Sequence, residues 1–236
     1  MGKRIFSAVC FDMDGVLVQS RDVIEKSWAY VASAYDVKLT NTDIQKHIHG
    51  RPGDYTLNAL FGEFPEHLRT VIKQRVDTFE ETSPCSLVPG VSTLLKKLQR
   101  SQVPIALVTS SWTARIDFIL RLHKLEGVFK TIISREDVTN GKPNPDCYLK
   151  AACQLGIEPD NCLVFEDSQS GVKAAVQSGA SCIAIGDDPY LKQCGAIELH
   201  EDFCTLHPRL SSLSGHHVES CSDNAHIVFH PSSDPL

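Results

Sequence analysis

The chain has no C-x-x-C pair among its nine cysteines. Several of them, Cys10, Cys153, Cys162 and Cys182, lie inside apolar runs, which suits buried thiols in a reducing compartment rather than a disulfide framework. No run of Lys and Arg forms a stripe, and the net charge is −6. That argues against nucleic acid as the main partner, although a few local cations could still receive a small anion. No apolar run reaches membrane-spanning length, and Met-Gly-Lys-Arg leads at once into an apolar run, too short a start for a signal peptide. The expected setting is therefore cytoplasmic, away from membranes, as a monomer or weak dimer.

With 236 residues, 42% hydrophobic and 22% charged, the chain has room for one large domain or for a core with a smaller insert. Nearly continuous apolar runs at Ile5–Phe11, Pro104–Thr109, Thr131–Ser134, Cys162–Phe165 and Ser181–Gly186 predict strands buried on both faces. Ser7 and Cys10 are small enough not to interrupt the first of them. Amphipathic stretches at Val91–Arg100, Thr113–Leu122, Asp146–Leu155 and Gly171–Gly179 alternate with the strands. The pattern predicts an α/β fold, a doubly wound parallel sheet with helices on both faces.

From about Asp22 to Thr82 the alternation stops and only helical periodicity remains. This segment is expected to be a helical insert after the first strand, returning through the Pro- and Gly-bearing stretch Ser83–Gly90. The expected division is a core of residues 1–18 and 86–204, an insert of 19–85 with its hinges, and a polar tail of 205–236. The tail carries His207, His216, His217, His226 and His230, whose spacing fits no metal motif. It is expected to be poorly ordered, with Ala225–Phe229 the one place where a short strand could form.

The chemically loaded residues fall where the strands are expected to end, which is where open α/β sheets bind ligands. Asp12 and Asp14 follow the first strand two residues apart, so they leave it towards one side. Paired carboxylates at a buried strand end call for a cation, and Mg²⁺ suits hard oxygen donors beside a phosphate. Thr109-Ser110-Ser111 follows a second strand and offers hydroxyls and N–H groups to an anion. Gly141-Lys142-Pro143-Asn144-Pro145 holds a lysine in a turn, and Glu166-Asp167-Ser168 opens another helix. Each alone could be a cap or a solvated charge, but capping does not explain all four at one sheet edge.

Together these groups fit phosphoryl transfer, which needs positioning and charge neutralisation. Asp12 would be the nucleophile that carries an aspartyl-phosphate. Asp14 would protonate the leaving oxygen and then deprotonate water. Thr109, the Ser110 backbone and Lys142 would hold phosphoryl oxygens, while Glu166 and Asp167 complete a metal site with Asp12.

The motifs F-D-M-D-G-V-L, L-V-T-S-S, G-K-P-N-P-D and F-E-D-S-Q-S-G occur in that order. In this the chain resembles the haloacid dehalogenase superfamily, in its branch of β-phosphoglucomutase and sugar-phosphate phosphatases, over roughly residues 4 to 204. The resemblance implies a Rossmann-like core, a helical cap at the insert, and Mg²⁺ held by Asp12, the Asp14 carbonyl and Asp167. Its true dehalogenases lack the second acid, so Asp14 points to phosphate chemistry. Related phosphatases place an H-G-R segment over the site, which implies that His49, Gly50 and Arg51 read the substrate, Arg51 through a bidentate contact. Two positions depart from the pattern. Gln19 stands where many members have an aspartate, and Ile24 stands where the resembled mutase has a histidine that couples cap closure to chemistry. The expected activity is Mg²⁺-dependent hydrolysis of a small phosphorylated metabolite, a sugar or polyol phosphate. A phosphosugar mutase and a catalytically silent, metabolite-binding relative remain alternatives.

Overall fold

The computed structural model describes residues 4–48, 51, 53–206, 210–212 and 227–229. The chain begins with β1 (Arg4–Phe6) and β2 (Ala8–Phe11), then α1 (Arg21–Ser33), α2 (Asn41–Asp43, prolonged by a wider helical turn over Ile44–Ile48), α3 (Gly53–Phe61) and α4 (Glu66–Thr82). Alternation follows with α5 (Val91–Arg100), β3 (Ile105–Val108), α6 (Thr113–His123), β4 (Thr131–Ile133), α7 (Asp146–Leu155), β5 (Cys162–Glu166), α8 (Gln169–Gln177) and β6 (Ser181–Ile185). The last described elements are α9 (Tyr190–Gln193), β7 (Glu198–His200), α10 (Phe203–Leu206), β8 (Leu210–Ser212) and β9 (Ile227–Phe229). Among the described residues no helix is long and apolar enough to cross a membrane.

Six strands form one parallel sheet in the order β4-β3-β2-β5-β6-β7. Alternate residues of each strand feed two different layers. Val9, Phe11, Ile105, Leu107, Leu163 and Phe165 join the large side chains of α5 and α6 on one face. Ala8, Cys10, Ala106, Val108, Cys182 and Ala184 form the other face, where small residues let α7 and α8 sit close. Strand order reverses at β2, with β3 on one side and β5 on the other, so the ligand crevice of such a sheet lies beyond the carboxyl ends of these three strands.

Helices α1 to α4 build a separate apolar cluster around Trp28, Val31, Phe61, Ile72 and Val76. The two chain crossings that join it to the sheet are bonded to each other. Val88 N–H donates to the Leu17 carbonyl at 3.0 Å, Gln19 N–H donates to the Ser86 carbonyl at 2.8 Å, and the Ser86 hydroxyl donates to Gln19 Oε1 at 2.8 Å. Gln19 thus uses its amide within the hinge.

Three expectations are corrected. The run Ile5–Phe11 is two strands, because Ser7 N–H turns away to the Asn161 carbonyl at 2.8 Å. Its first piece pairs with β9 in a small parallel sheet, β1-β9-β8, and Ile5 is exposed. Of the tail expected to be poorly ordered, the described residues form β8 and β9, the latter where a short strand was held possible, and Ile227 and Phe229 are buried in the main core. The histidines of that tail lie outside the described residues. Cys153 is exposed on α7 rather than buried, while Cys10, Cys162 and Cys182 are buried and free.

Candidate active site

β2 delivers Asp12 directly at its end, where Asp12 N–H still donates to the Phe165 carbonyl of β5 at 3.0 Å. The chain then folds back in a tight loop closed by Gly15 N–H to the Val18 carbonyl at 2.8 Å. Gly15 has φ +82°, and a Cβ there would fall 2.0 Å from Asp167 Oδ2. Only glycine lets the loop after β2 approach the carboxylate after β5 so closely.

Lys142 lies at the centre of the acidic residues. The turn before α7 carries its ammonium to 2.6 Å from Asp12 Oδ1, 2.6 Å from Glu166 Oε1 and 3.1 Å from the Val108 carbonyl. Its side chain is 6% exposed, so these are charge-assisted bonds in a dry site. Glu166 is fixed further by the Tyr148 hydroxyl at 2.7 Å and by Ser168, which donates from its hydroxyl at 3.1 Å and its N–H at 3.3 Å. Ser168, not Asp167, caps α8. Asp167 is therefore spared from capping.

Among the described residues Asp12, Glu166 and Asp167 bring carboxylate oxygens within 4.8 Å of one another. Burial pushes the Asp12 carboxyl up to about 7, the Lys142 charge opposing and the neighbouring Glu166 and Asp14 charges adding to it. Asp167 is raised well above the carboxylate range by burial and then by Asp12 and Glu166. Burial alone would lower the Lys142 ammonium, but Asp12 and Glu166 overcome it and hold Lys142 protonated. One lysine among three close acids leaves surplus negative charge, and hard oxygen donors in this number suit Mg²⁺.

Asp14 faces elsewhere. Its Oδ1 accepts from Arg115 Nη2 at 3.0 Å and its Oδ2 from the Ser111 hydroxyl at 2.7 Å. Burial pushes this carboxyl up, but the Arg115 charge and hydrogen bonds from Ser111, Ser20 and Arg115 outweigh it and hold it below the usual range. Thr109 is buried, and its hydroxyl accepts from Ser111 N–H at 3.0 Å; Ser110 beside it is exposed. No side chain caps α6, so capping does not account for the hydroxyls of this loop.

The insert side is less convergent. Arg51 donates from Nε to the Lys46 carbonyl at 3.2 Å and lies 5.2 Å over the Tyr55 ring, within its own segment. His49 and Gly50 lie outside the described residues. The structure therefore brings Asp12, Lys142, Glu166 and Asp167 into one cluster, with Asp14 and Thr109 on its flank, and does not bring Arg51 into contact with it.

Two participants were missed in the sequence. Ser111 was read as part of an anion-binding turn or as a cap, not as a partner of Asp14. Arg115 was passed over, although it sits with Ile116, Ile119 and Leu120 on the buried face of α6, where a cation is out of place. That misfit was the available signal.

The family model described as "Haloacid dehalogenase-like hydrolase" matches residues 9–185. A "Phosphorylated carbohydrates phosphatase" of Thermotoga maritima is 32% identical over 202 residues, covering 81% of this chain and 93% of its own. "Hexitol phosphatase A" of Escherichia coli (strain K12) is 30% identical over 194 residues, covering 79% and 88%. A HAD family hydrolase from Deinococcus radiodurans R1, solved with bound phosphate and sodium, superposes with a TM-score of 0.68 at 30% identity, covering 85% of this chain and 93% of that one.

Proposed function

The chain belongs to the haloacid dehalogenase-like hydrolases, and from that premise we propose that it is a Mg²⁺-dependent phosphatase of small sugar or polyol phosphates. The observation that carries this reading is Lys142, bonded at once to Asp12 and Glu166 with Asp167 beside them, where the strand order reverses. The relatives named for phosphorylated carbohydrates and for hexitol phosphate support the substrate class.

In this reading Asp12 Oδ2 is the free nucleophile, since Oδ1 is bonded to Lys142. It attacks phosphorus, the bond to the leaving oxygen breaks, and Asp14, ionised beside Arg115 and protonated from solvent as the substrate phosphate binds, passes that proton to the leaving oxygen. Asp14, now ionised, takes a proton from the water that attacks the aspartyl-phosphate, and phosphate leaves with Asp12 regenerated. Lys142, the Thr109 hydroxyl and the Ser110 N–H orient and neutralise the phosphoryl oxygens. Asp12, Asp167 and the Asp14 carbonyl, with Glu166 behind them, would hold Mg²⁺, which when bound supplies positive charge to the phosphoryl group. The insert of residues 19–85 serves as a cap over this crevice and Arg51 as its reader of the substrate.

A phosphosugar mutase uses the same core and is the second reading. Ile24 weighs against it, because this side chain packs against the apolar cluster of the insert and cannot relay a proton or hydrogen bond. The test is phosphate release from a panel of sugar and polyol phosphates, with Mg²⁺ and with EDTA. Metal-dependent release from one of them at a kcat/KM well above that of p-nitrophenyl phosphate is expected. No release from any member would sink the assignment.

A further inference from the structure

Arg115 is fully buried on α6, and its guanidinium joins two parts of the molecule. Nη2 donates to Asp14 Oδ1 at 3.0 Å, and Nη1 donates to the Glu80 carbonyl in the last turn of α4 at 2.6 Å. A second, weaker contact runs from Nη2 to Cys85 Sγ at 3.9 Å. The carbonyl end of α4 carries partial negative charge, so a guanidinium there is doubly placed, between a helix terminus and a carboxylate. Nε is buried without a partner. Packing alone would not favour so costly a residue on a helix face otherwise made of Ile116, Ile119 and Leu120.

We propose that Arg115 is a positioning residue for the hydrolysis, fixing the Asp14 carboxylate together with Ser111 while its other arm is held by the end of α4. This rests on the phosphatase reading above, in which Asp14 is the acid and base. A carboxylate in a glycine-bearing loop has freedom about χ1 and χ2, and general acid catalysis needs its proton within hydrogen-bond reach of the leaving oxygen. The two anchors come from one loop-to-helix segment, Ser111 at its start and Arg115 four residues on. One anchor is a short hydroxyl and the other is the fork of an arginine, able to bond Asp14 and the Glu80 carbonyl at once. Lysine offers a point charge and cannot reproduce that fork. Because α4 belongs to the insert, the orientation of Asp14 is tied to the seating of that segment on the core.

The test is the leaving-group dependence of the first step, read as pre-steady-state release of alcohol or phenol from alkyl, phenyl and 2,4-dinitrophenyl phosphates. Wild type, Asp14→Asn, Arg115→Lys and Arg115→Met are compared, with Mg²⁺ saturating. An ester with a good leaving group needs no proton, so a misplaced Asp14 should hurt only the poor ones. Arg115→Lys should slow the alkyl phosphate by about tenfold or more and the dinitrophenyl ester by less than about threefold, with KM nearly unchanged. Arg115→Met should steepen the dependence further, and if it fails to fold the lysine variant still decides. Equal loss on every ester, with the dependence of wild type, would reduce Arg115 to a structural tie and overturn the proposal. If Asp14→Asn keeps the wild-type dependence, the phosphatase mechanism itself is wrong and the role of Arg115 falls with it, an outcome visible without any Arg115 variant.

Discussion

Gly171 stands so close to Glu166 that a Cβ built on it would fall 1.8 Å from Glu166 Oε1. That oxygen is the one that accepts from Lys142 and Tyr148. The glycine in the first turn of α8 is thus a cradle for a buried carboxylate, and through it for the lysine. Gly171→Ala should displace Glu166, release Lys142 and lower kcat by at least tenfold, with a stability loss of the order of overpacking, ~1–3 kcal/mol. Gly141, one residue before Lys142, has no atom within 4 Å of its would-be Cβ. Gly141→Ala should therefore be tolerated. Denaturation midpoints and phosphate release on the two variants check the contrast, and similar losses in both would refute the cradle.

Removing the proposed nucleophile separates chemistry from folding. Asp12→Asn keeps the shape and accepts the Lys142 bond, yet it cannot attack phosphorus, so turnover should vanish while the fold persists. Acid-quenched wild type should carry labelled phosphate on Asp12. Asp14→Ala should cost ~10²–10⁴-fold, the usual scale of general acid–base catalysis. A change under about threefold would remove it from that role.

The sheet and the site edge could be read from the chain because both depend on short-range pattern. Continuous apolar runs make strands buried on two faces, and acids, hydroxyls and a lysine at the ends of those runs meet wherever a parallel sheet reverses its order. What escaped was decided by partners far away in sequence. Ser7 breaks its run because Asn161 takes its N–H, and β9 joins β1 across the whole chain. Cys153 was within reach of a helical reading: Cys147, Ala151 and Leu155 share the buried face of α7, and position 153 falls off it. Arg115 was legible as a cation in an apolar stripe, but its partners Asp14 and the Glu80 carbonyl were not.

Glu80 is a buried acid outside the carboxylate cluster, and burial pushes its carboxyl from 4.5 up to about 7 despite the opposing Arg115 charge and Ser27 hydrogen bond. A carboxyl raised in the fold binds more protons folded than unfolded. Its contribution favours the fold below the unfolded pKa and is lost as pH rises through the folded one. At ~1.4 kcal/mol per unit, a slope running from about pH 4.5 to 7 amounts to a few kcal/mol. Glu80→Gln keeps an acceptor for Ser27 and cannot ionise, so it should match wild type near pH 5 and exceed it in melting temperature at pH 8. A wild-type advantage at pH 8 would contradict the buried-acid account.

Arg51→Ala should behave unlike the core variants. Its side chain is exposed and held by the Lys46 carbonyl and the Tyr55 ring, away from the carboxylate cluster. If this segment reads the substrate on closing, KM for the sugar phosphate should rise while p-nitrophenyl phosphate is turned over as before. Equal loss on both would place Arg51 in the chemistry instead.

Where the phosphoryl group goes is decided by whether water can reach the aspartyl-phosphate before a sugar hydroxyl does. A mutase must exclude water until its second hydroxyl is seated, which demands a firm link between cap closure and the acid–base group. Ile24 packs into the apolar cluster of the insert, and the neighbouring Ser27 hydroxyl is spent on the Ile24 carbonyl at 2.8 Å and on Glu80 Oε1 at 2.8 Å. Neither is left to relay a proton towards Asp14; the tie from the insert to Asp14 runs through the Glu80 carbonyl and Arg115, whose guanidinium stays charged and passes no proton on. Asp14 is anchored by Arg115 and Ser111, and in the proposed mechanism it activates the water. A hexose 1-phosphate followed by phosphate assay and by product identity should therefore give one free phosphate per substrate consumed. Conversion to the 6-phosphate without release would overturn hydrolysis and promote the mutase.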